Sequence, residues 1–84
     1  MKVVFSRHII KDIKKIDHKA QRRIKKKLLW FADQEKPLDF AETINDKEIG
    51  QYRFRIGDYR VLFDVEDNRI IRINAIGHRR DIYK

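Results

Sequence analysis

Arginine side chains stand out among the residues of this chain that could do chemistry. Alternate positions of the segment Tyr52–Ile56 carry Arg53 and Arg55, and aromatic or aliphatic residues occupy the positions between them. This period of two predicts a half-buried β-strand. The dipeptide Gly57–Asp58 then predicts a two-residue hairpin turn, which would place Arg60 directly opposite Arg55 on the following strand.

A face with three arginines is a candidate site for an anion. Like charges that lie opposite each other destabilise a pair of strands, so the pairing of Arg55 with Arg60 indicates a function rather than a gain in stability. A planar guanidinium stays charged and binds phosphate through two hydrogen bonds at once. Two alternatives remain open: the register is shifted by one residue, or Asp58 and Asp64 neutralise the arginines.

The last residues carry a second group of chemically active side chains. His78, Arg79, Arg80 and Tyr83 follow Gly77 within a few positions. An imidazole beside arginines is a candidate acid or base, because it changes its charge near physiological pH, and the alternative is a packed or solvent-exposed histidine. Tyr83 could stack on a nucleobase or transfer a proton, or it could simply pack the end of the chain.

No metal site or cofactor site is predicted. His8 and His18 have no partners at the spacing of metal ligands, and the chain contains no cysteine. The sequence also has neither a P-loop nor a dinucleotide-binding glycine pattern.

The sequence pattern predicts two helices ahead of the arginine-rich strands. A short β-type run, Lys2–Phe5, leads to Ser6, which stands where a helix N-cap is expected. Isoleucines then recur at helical spacing up to Ile16, and Asp17–His18 marks a break. A second helix is predicted from about Lys19 to Asp33. Its apolar arc comprises Ala20, Ile24, Leu28, Phe31 and Ala32.

The helical part carries the excess of positive charge. The formal net charge is +8, and ten of the 21 Lys and Arg residues lie between positions 7 and 27, against the carboxylates of Asp12 and Asp17. So basic a domain predicts a polyanionic partner, either nucleic acid or an acidic protein. Lys25, Lys26 and Lys27 are a candidate edge for binding RNA phosphates, and the alternative is an ordinary solvated helix face.

The connection after the second helix is polar. Within Glu35–Glu48, the residues Phe40, Ala41 and Ile44 suggest a short helical turn. Trp30 lies outside the apolar arc of the preceding helix, so it either covers this connection or is exposed to a partner.

The whole pattern predicts one α+β domain over residues 1–84, in the order β-α-α-β-β-β. Two N-terminal helices would pack on a small antiparallel sheet whose last three strands form a meander. A second two-residue turn at Asp67–Asn68 would place Leu62 opposite Ile73. Strict alternation then predicts Leu62, Ile71 and Ile73 on the same face as the arginines.

The composition favours a cytoplasmic protein that does not insert into a membrane. The absence of cysteine fits a reducing compartment. No apolar run approaches the roughly 18 residues of a transmembrane helix, and the N-terminal residues lack the apolar region of a signal peptide.

Two segments of the chain resemble a known family. The run Gly50–Phe63 and the ending Ile76–Lys84 are similar to the RelE/ParE superfamily of toxins from type II toxin–antitoxin modules. The likeness extends over essentially the whole chain, and the ending His78–Lys84 resembles the RelE branch more than the gyrase-poisoning ParE branch. The resemblance implies the RelE-like microbial RNase fold.

Similarity to the RelE branch implies cleavage of mRNA in the ribosomal A site. A ribose 2′-hydroxyl would attack the adjacent phosphate without a metal ion and leave a cyclic phosphate. By position, Arg60 corresponds to the arginine that stabilises the phosphate, Arg79 to a second phosphate contact, and Tyr83 to the C-terminal tyrosine. Arg53 and Arg55 stand where family members often carry lysine.

The arginines at these lysine positions change the proton transfer that we expect. An arginine effectively cannot lose its proton, so Arg53 and Arg55, together with Arg80, are expected to bind RNA phosphates rather than act as bases. The base is then His78 or Tyr83, or the ribosome itself orients the attacking hydroxyl.

The resemblance also implies a set of partners. These are a cognate acidic antitoxin that wraps the basic domain, the ribosome with its rRNA and mRNA, and operator DNA reached through the antitoxin. Two other functions stay open: a ParE-like inhibitor of DNA gyrase, and a nucleic-acid-binding module without catalysis.

Overall fold

A computed structural model of the protein describes residues 1–82. The fold is α+β, with two helices and a five-stranded sheet of order β1-β5-β4-β3-β2. In chain order the elements are β1 (Lys2–Phe5), α1 (Ile10–Lys14), α2 (His18–Ala32), β2 (Glu42–Asp46), β3 (Gly50–Ile56), β4 (Tyr59–Glu66) and β5 (Ile70–His78). Short 3₁₀ turns, Arg7–Ile9 and Pro37–Phe40, precede α1 and β2.

The sheet corrects two features of the predicted architecture. β1 pairs with β5 in parallel, from Lys2 opposite Ile70 to Phe5 opposite Ile73, so the sheet is mixed rather than antiparallel. The connection before β3 contains the expected helical turn, as a 3₁₀ turn at Pro37–Phe40, but Ile44 belongs to an unpredicted strand, β2. This strand has only one large apolar residue, and it is ordered by its pairing with β3 at the edge of the sheet.

The two helices meet where the sequence predicted a break. The Asp17 carboxylate accepts a hydrogen bond from the Ala20 backbone N–H at 2.8 Å, which caps the first turn of α2. The Ser6 side chain does not cap the 3₁₀ turn Arg7–Ile9 that follows it. Its hydroxyl instead donates to the Asn74 side chain at 3.2 Å, which ties the start of the helical region to β5.

Aromatic stacking between α2 and the sheet forms the centre of the core. The Phe31 ring stacks on Phe54 with centroids 4.3 Å apart, and Phe54 stacks on Phe63 at 4.4 Å. Phe54 and Phe63 are completely buried, as are Ile71 and Ile73 of β5. The core therefore lies between α2 and one face of β3, β4 and β5.

The predicted register is confirmed for the hairpin of β3 and β4 but is wrong for the hairpin of β4 and β5. β3 and β4 pair as predicted, with Arg55 opposite Arg60. In β4 and β5, Glu66 lies opposite Ile70, and Leu62 lies opposite Ala75 rather than Ile73.

The physical reason for the changed register is the turn between β4 and β5, which has three residues, 67–69, instead of the predicted two. This longer turn places Ile71 and Ile73 in the core, whereas the sequence predicted them on the arginine face. Asn74 then forms a bulge between Ile73 and Ala75, which shifts the register by one more residue, and its amide donates to the Asp64 carboxylate at 3.0 Å. Burial of two isoleucines decides the register. Among the helices formed by residues 1–82, none is long and apolar enough to cross a membrane.

Candidate functional site

The arginine cluster comprises Arg53, Arg55 and Arg60, and the structure adds an unpredicted carboxylate, Glu42, to it. Arg53 and Arg55 alternate along β3 on the face turned away from the aromatic core, and Arg60 faces Arg55 from β4. Glu42 lies opposite Arg53 on β2. Its Oε2 lies 2.7 Å from Arg53 Nη2, and its Oε1 lies 2.5 Å from Arg55 Nε.

The arginine cluster stabilises the ionised form of Glu42. The hydrogen bond from Arg53 lowers the pKa of the Glu42 carboxyl below its ordinary value, and the charges of Arg53, Arg55 and Arg60 lower it further. The carboxylate is therefore ionised at neutral pH. The sequence pattern does not predict this contact, because β2 lacks a strand signature and Glu42 is one of several acidic residues shortly before the arginines.

The two aspartates considered as neutralising partners have other contacts. Asp64 accepts hydrogen bonds from the Asn74 amide and from the Gln51 backbone N–H. Asp58 lies 3.8 Å from Arg79. The compensation for the arginine pairing thus comes from β2, and the observed register removes the alternative of a one-residue shift.

Arg60 is the member of the cluster best placed to bind an added anion. Its Nη1 donates to the carbonyl oxygens of Gly57 at 3.0 Å and Tyr59 at 2.9 Å, so backbone oxygens of the hairpin turn hold the guanidinium. Within residues 1–82, no carboxylate forms an ion pair with Arg60. A positioned cation without an acidic partner is suited to stabilise a phosphate.

The segment after β5 brings Arg79 to the same turn. The Arg79 backbone N–H donates to the Asp58 carbonyl oxygen at 2.7 Å, and the Arg79 Nε lies 3.8 Å from the Asp58 carboxylate. Arg60 and Arg79, which are distant in sequence, are therefore both attached to the turn between β3 and β4. The side chain of Arg79 remains exposed.

His78 lies apart from the arginine cluster. It pairs with Tyr59, which neighbours Arg60 and so points to the opposite face of the sheet, and the two rings meet edge to face at 5.7 Å. The His78 Nδ1 accepts the Arg80 backbone N–H at 3.2 Å. In the neutral imidazole this arrangement leaves the proton on Nε2, where the ring can donate a hydrogen bond but cannot accept one.

The other predicted site residues occupy several places. Arg80 is exposed beside His78, and Tyr83 lies outside the described residues. Lys25, Lys26 and Lys27 are exposed on α2, but successive helical positions are about 100° apart. Lys25 lines a groove beside α1, whereas Lys26 and Lys27 line a cleft beside β3. They do not form one edge.

The described residues also contain no group of three or more His, Asp or Glu side chains arranged to hold a metal ion.

The fold and the site together define a small α+β domain that carries clustered guanidiniums on one face of its sheet. The family model described as ParE toxin of type II toxin–antitoxin system, parDE, matches residues 3–83. The chain therefore belongs to the RelE/ParE family of toxins from type II toxin–antitoxin systems, which confirms the resemblance seen in the sequence.

The chain is also similar to a curated protein and, in its fold, to a solved structure. Toxin RelE3 of Methanocaldococcus jannaschii is 29% identical over 92 residues, which cover 99% of this chain and 96% of that protein. The crystal structure of the toxin–antitoxin complex RelBE2 from Mycobacterium tuberculosis contains a chain of similar fold. Its TM-score is 0.78 at 22% identity, and the match covers 93% of this chain and 96% of that one.

Proposed function

We propose that this toxin is a ribosome-dependent endoribonuclease that cleaves mRNA in the A site and so inhibits translation. The observation that carries the proposal is Arg60, a guanidinium held by two turn carbonyls and without an acidic partner among the described residues. The likeness to a toxin named RelE3 supports the same branch.

Phosphate chemistry follows from the groups around the turn. The ribose 2′-oxygen gives up its proton and forms a bond to phosphorus, and the bond from phosphorus to the 5′-oxygen breaks. The leaving 5′-oxygen takes a proton from solvent water, so that a 2′,3′-cyclic phosphate and a 5′-hydroxyl result. Negative charge accumulates on the phosphorane oxygens in the transition state, where Arg60 and Arg79 stabilise it. Arg53 and Arg55 extend the positive field along the RNA strand.

Proton transfer from the 2′-hydroxyl needs an acceptor on the arginine face. Arg53 and Arg55 cannot serve, because a guanidinium stays protonated. The Glu42 carboxylate is ionised and lies between these two side chains, so we assign the role of proton acceptor to Glu42. His78 lies on the other face of the sheet and retains its Nε2 proton, which disfavours it as the base.

The cognate partner proposed for this toxin is an acidic antitoxin. The net charge of +8 and the exposed arginines favour an acidic, partly disordered chain that wraps the domain and covers the arginine cluster. The solved relative is itself a toxin–antitoxin complex. Operator DNA would be reached through the antitoxin.

Arg60→Ala tests the enzymatic function. Loss of phosphate stabilisation should lower single-turnover cleavage of mRNA on programmed ribosomes by about 10²–10³-fold, with 5′ ends mapped by primer extension. The fold should persist, because the substitution removes a repulsion opposite Arg55. Arg69→Ala, at the exposed turn between β4 and β5, is the matched control and should cleave normally.

Two results would overturn this proposal. A folded Arg60→Ala protein that cleaves at the wild-type rate would remove Arg60 from the chemistry. The matching family model is described as a ParE toxin, so inhibition of DNA gyrase is the alternative function to test. Absence of ribosomal cleavage by the wild-type protein, together with inhibition of DNA supercoiling by gyrase, would replace the nuclease by a ParE-like inhibitor.

A further inference from the structure

A second cationic surface lies beside the arginine cluster, in a cleft of about 430 Å³ between α2 and the end of β3. The helix contributes Arg23, Lys26, Lys27 and Trp30, and the strand side contributes Arg55, Ile56 and Gly57. These seven residues define the cationic cleft. None of its lining residues is acidic.

The helical side of the cationic cleft is a regular stripe. Arg23, Lys26, Lys27 and Trp30 follow one another at intervals that place side chains on a single helix face. All four side chains are exposed. Between residues 1 and 82, no carboxylate forms an ion pair with the three cations of this stripe.

Trp30 is both held in place and accessible. Its ring meets Phe31 and Phe40 edge to face at 5.6 and 5.2 Å, and the Lys27 ammonium lies 4.6 Å from its centroid. Even so, 46% of Trp30 remains exposed. A fixed and partly exposed indole is a surface on which a nucleobase can stack.

Gly57 joins the cationic cleft to the arginine cluster. Its φ of +59° favours glycine, and a Cβ at this position would lie 3.3 Å from Arg23 Nη2. The glycine therefore lets the Arg23 guanidinium approach the turn whose carbonyl oxygen holds Arg60. Arg55 lines the cleft and also binds Glu42 in the cluster.

We propose that the cationic cleft binds the same single-stranded RNA whose scissile phosphate lies at Arg60, with one flanking phosphate at Arg23, a second at Lys26, and a base stacked on Trp30. This inference rests on the proposed function. Unpaired cations beside an aromatic platform match the alternation of phosphate and base in single-stranded RNA. Acidic peptide side chains would use the cations but would gain little from the indole face.

The natural reporter for this binding is Trp30, the single tryptophan of the chain. An eight-residue 2′-O-methyl oligouridylate cannot be cleaved by 2′-hydroxyl attack, so it can be titrated into the wild-type protein while indole fluorescence is recorded. Stacking should quench the emission. Lys27 stays unchanged in all variants, because its ammonium contacts the indole ring itself.

Arg23→Gln/Lys26→Gln should weaken binding of this strand about tenfold and lower the slope of log affinity against log salt by about 1.4, or roughly 0.7 per lost phosphate contact. Lys11→Gln/Lys14→Gln removes the same charge from α1 and is the matched control. It should keep most of the slope and all of the quenching. Equal losses of affinity in both double variants would mean that the strand is held by general electrostatic attraction and not in the cleft, and this would overturn the proposal.

Two further probes identify the occupant. An abasic strand of the same length should bind more weakly and leave Trp30 unquenched, and equal quenching by that strand would exclude base stacking. Polyglutamate that quenches Trp30 as strongly as RNA would reassign the cleft to an acidic protein. If the protein cleaves mRNA on the ribosome but does not bind the oligonucleotide, only the cleft proposal fails. If it binds the oligonucleotide but cleaves no mRNA, the proposed nuclease function fails instead.

Discussion

Glu42 is the residue on which the chemistry of the arginine cluster depends most directly. It is a carboxylate placed between Arg53 and Arg55, where RNA would bring a phosphate. Either Glu42 accepts a proton during cleavage or it only compensates the arginines until RNA displaces it. The two roles predict opposite effects of removing its charge.

Glu42→Gln should lower single-turnover cleavage by about 10²-fold or more, because general bases typically contribute 10²–10⁴-fold. Glu48→Gln, an exposed glutamate in the turn before β3, is the matched control and should cleave at the wild-type rate. His78→Gln should cost much less than Glu42→Gln, because the imidazole lies on the other face of the sheet.

Faster cleavage by the Glu42→Gln protein would show that the carboxylate competes with RNA phosphate and that the base lies elsewhere. A loss in His78→Gln as large as that of Arg60→Ala would return the role to the imidazole. The pH profile separates these cases further. Since the pKa of Glu42 is lowered, cleavage that depends on its ionised form should be flat from neutral pH down to below 4.5.

At the scale of elements, α2 divides its positive charge between two sides of the molecule. Arg22 and Lys25 line the groove beside α1, and Lys26 and Lys27 face β3 and the arginine cluster. The helix period thus separates residues that are adjacent in sequence. Only one of the two pairs lies on the side where RNA is expected.

Lys26→Gln/Lys27→Gln should therefore flatten the salt dependence of ribosome binding by about two units of slope, one for each lost phosphate contact. Arg22→Gln/Lys25→Gln removes the same charge from the groove side and should change the slope less. The measurement is the affinity for ribosomes at several salt concentrations. Equal slopes for the two variants would mean that ribosomal RNA contacts both sides of α2.

Ion pairs between strands predict how stability depends on pH. The hydrogen bond from Arg72 lowers the pKa of the Glu66 carboxyl, and Glu66 in turn raises the pKa of Arg72. A carboxyl whose pKa is lower in the folded than in the unfolded chain stabilises the fold above its unfolded value, near 4.5, and loses that contribution as the pH falls through its folded value.

Thermal unfolding at several pH values checks this expectation. Glu66→Gln should have a lower Tm than the wild-type protein at pH 7, and the difference should shrink below about pH 4 because the wild-type carboxyl is then protonated as well. Glu48→Gln again serves as the control, with a Tm close to wild type throughout. A difference that stays constant as the pH falls would remove ionisation of Glu66 as the cause.

For the whole molecule, the aromatic core and the arginine cluster lie on opposite faces of the sheet. The aromatic stack of Phe31, Phe54 and Phe63 packs α2 against one face, and the arginine cluster occupies the other. A small domain has only a few kcal/mol of net stability, so its core tolerates little loss. Substitutions in the core should therefore lower stability, whereas substitutions in the arginine cluster should change cleavage with little effect on stability.

Phe54→Ala should lower the free energy of unfolding by about 3–5 kcal/mol, because a fully buried ring between two others is replaced by a cavity. Urea unfolding measures the loss, and Arg60→Ala should leave the midpoint within experimental error or slightly raised. A Phe54→Ala protein as stable as the wild type would contradict the central place of this ring in the core.

Local sequence determined the elements whose stabilising contacts are short in range. Asp17 predicts the break between the helices, and its carboxylate caps α2 by accepting the backbone N–H of Ala20, three residues further along the chain. Gly57–Asp58 predicts the turn that sets Arg55 opposite Arg60. Side-chain period and turn chemistry act between neighbours in the chain, so the pattern of residues was sufficient for these features and for the family resemblance.

Tertiary structure alone decided which strands pair and in which register. β1 pairs in parallel with β5, which comes from the opposite end of the chain. The pairing of β2 with β3, which brings Glu42 to the arginines, and the register of β4 with β5 join neighbouring segments, but the local pattern carries no signal of either. Their free energy comes from burying Ile71 and Ile73 and from pairing the sheet edges. No local pattern records those gains, because each depends on which segments meet in the folded chain.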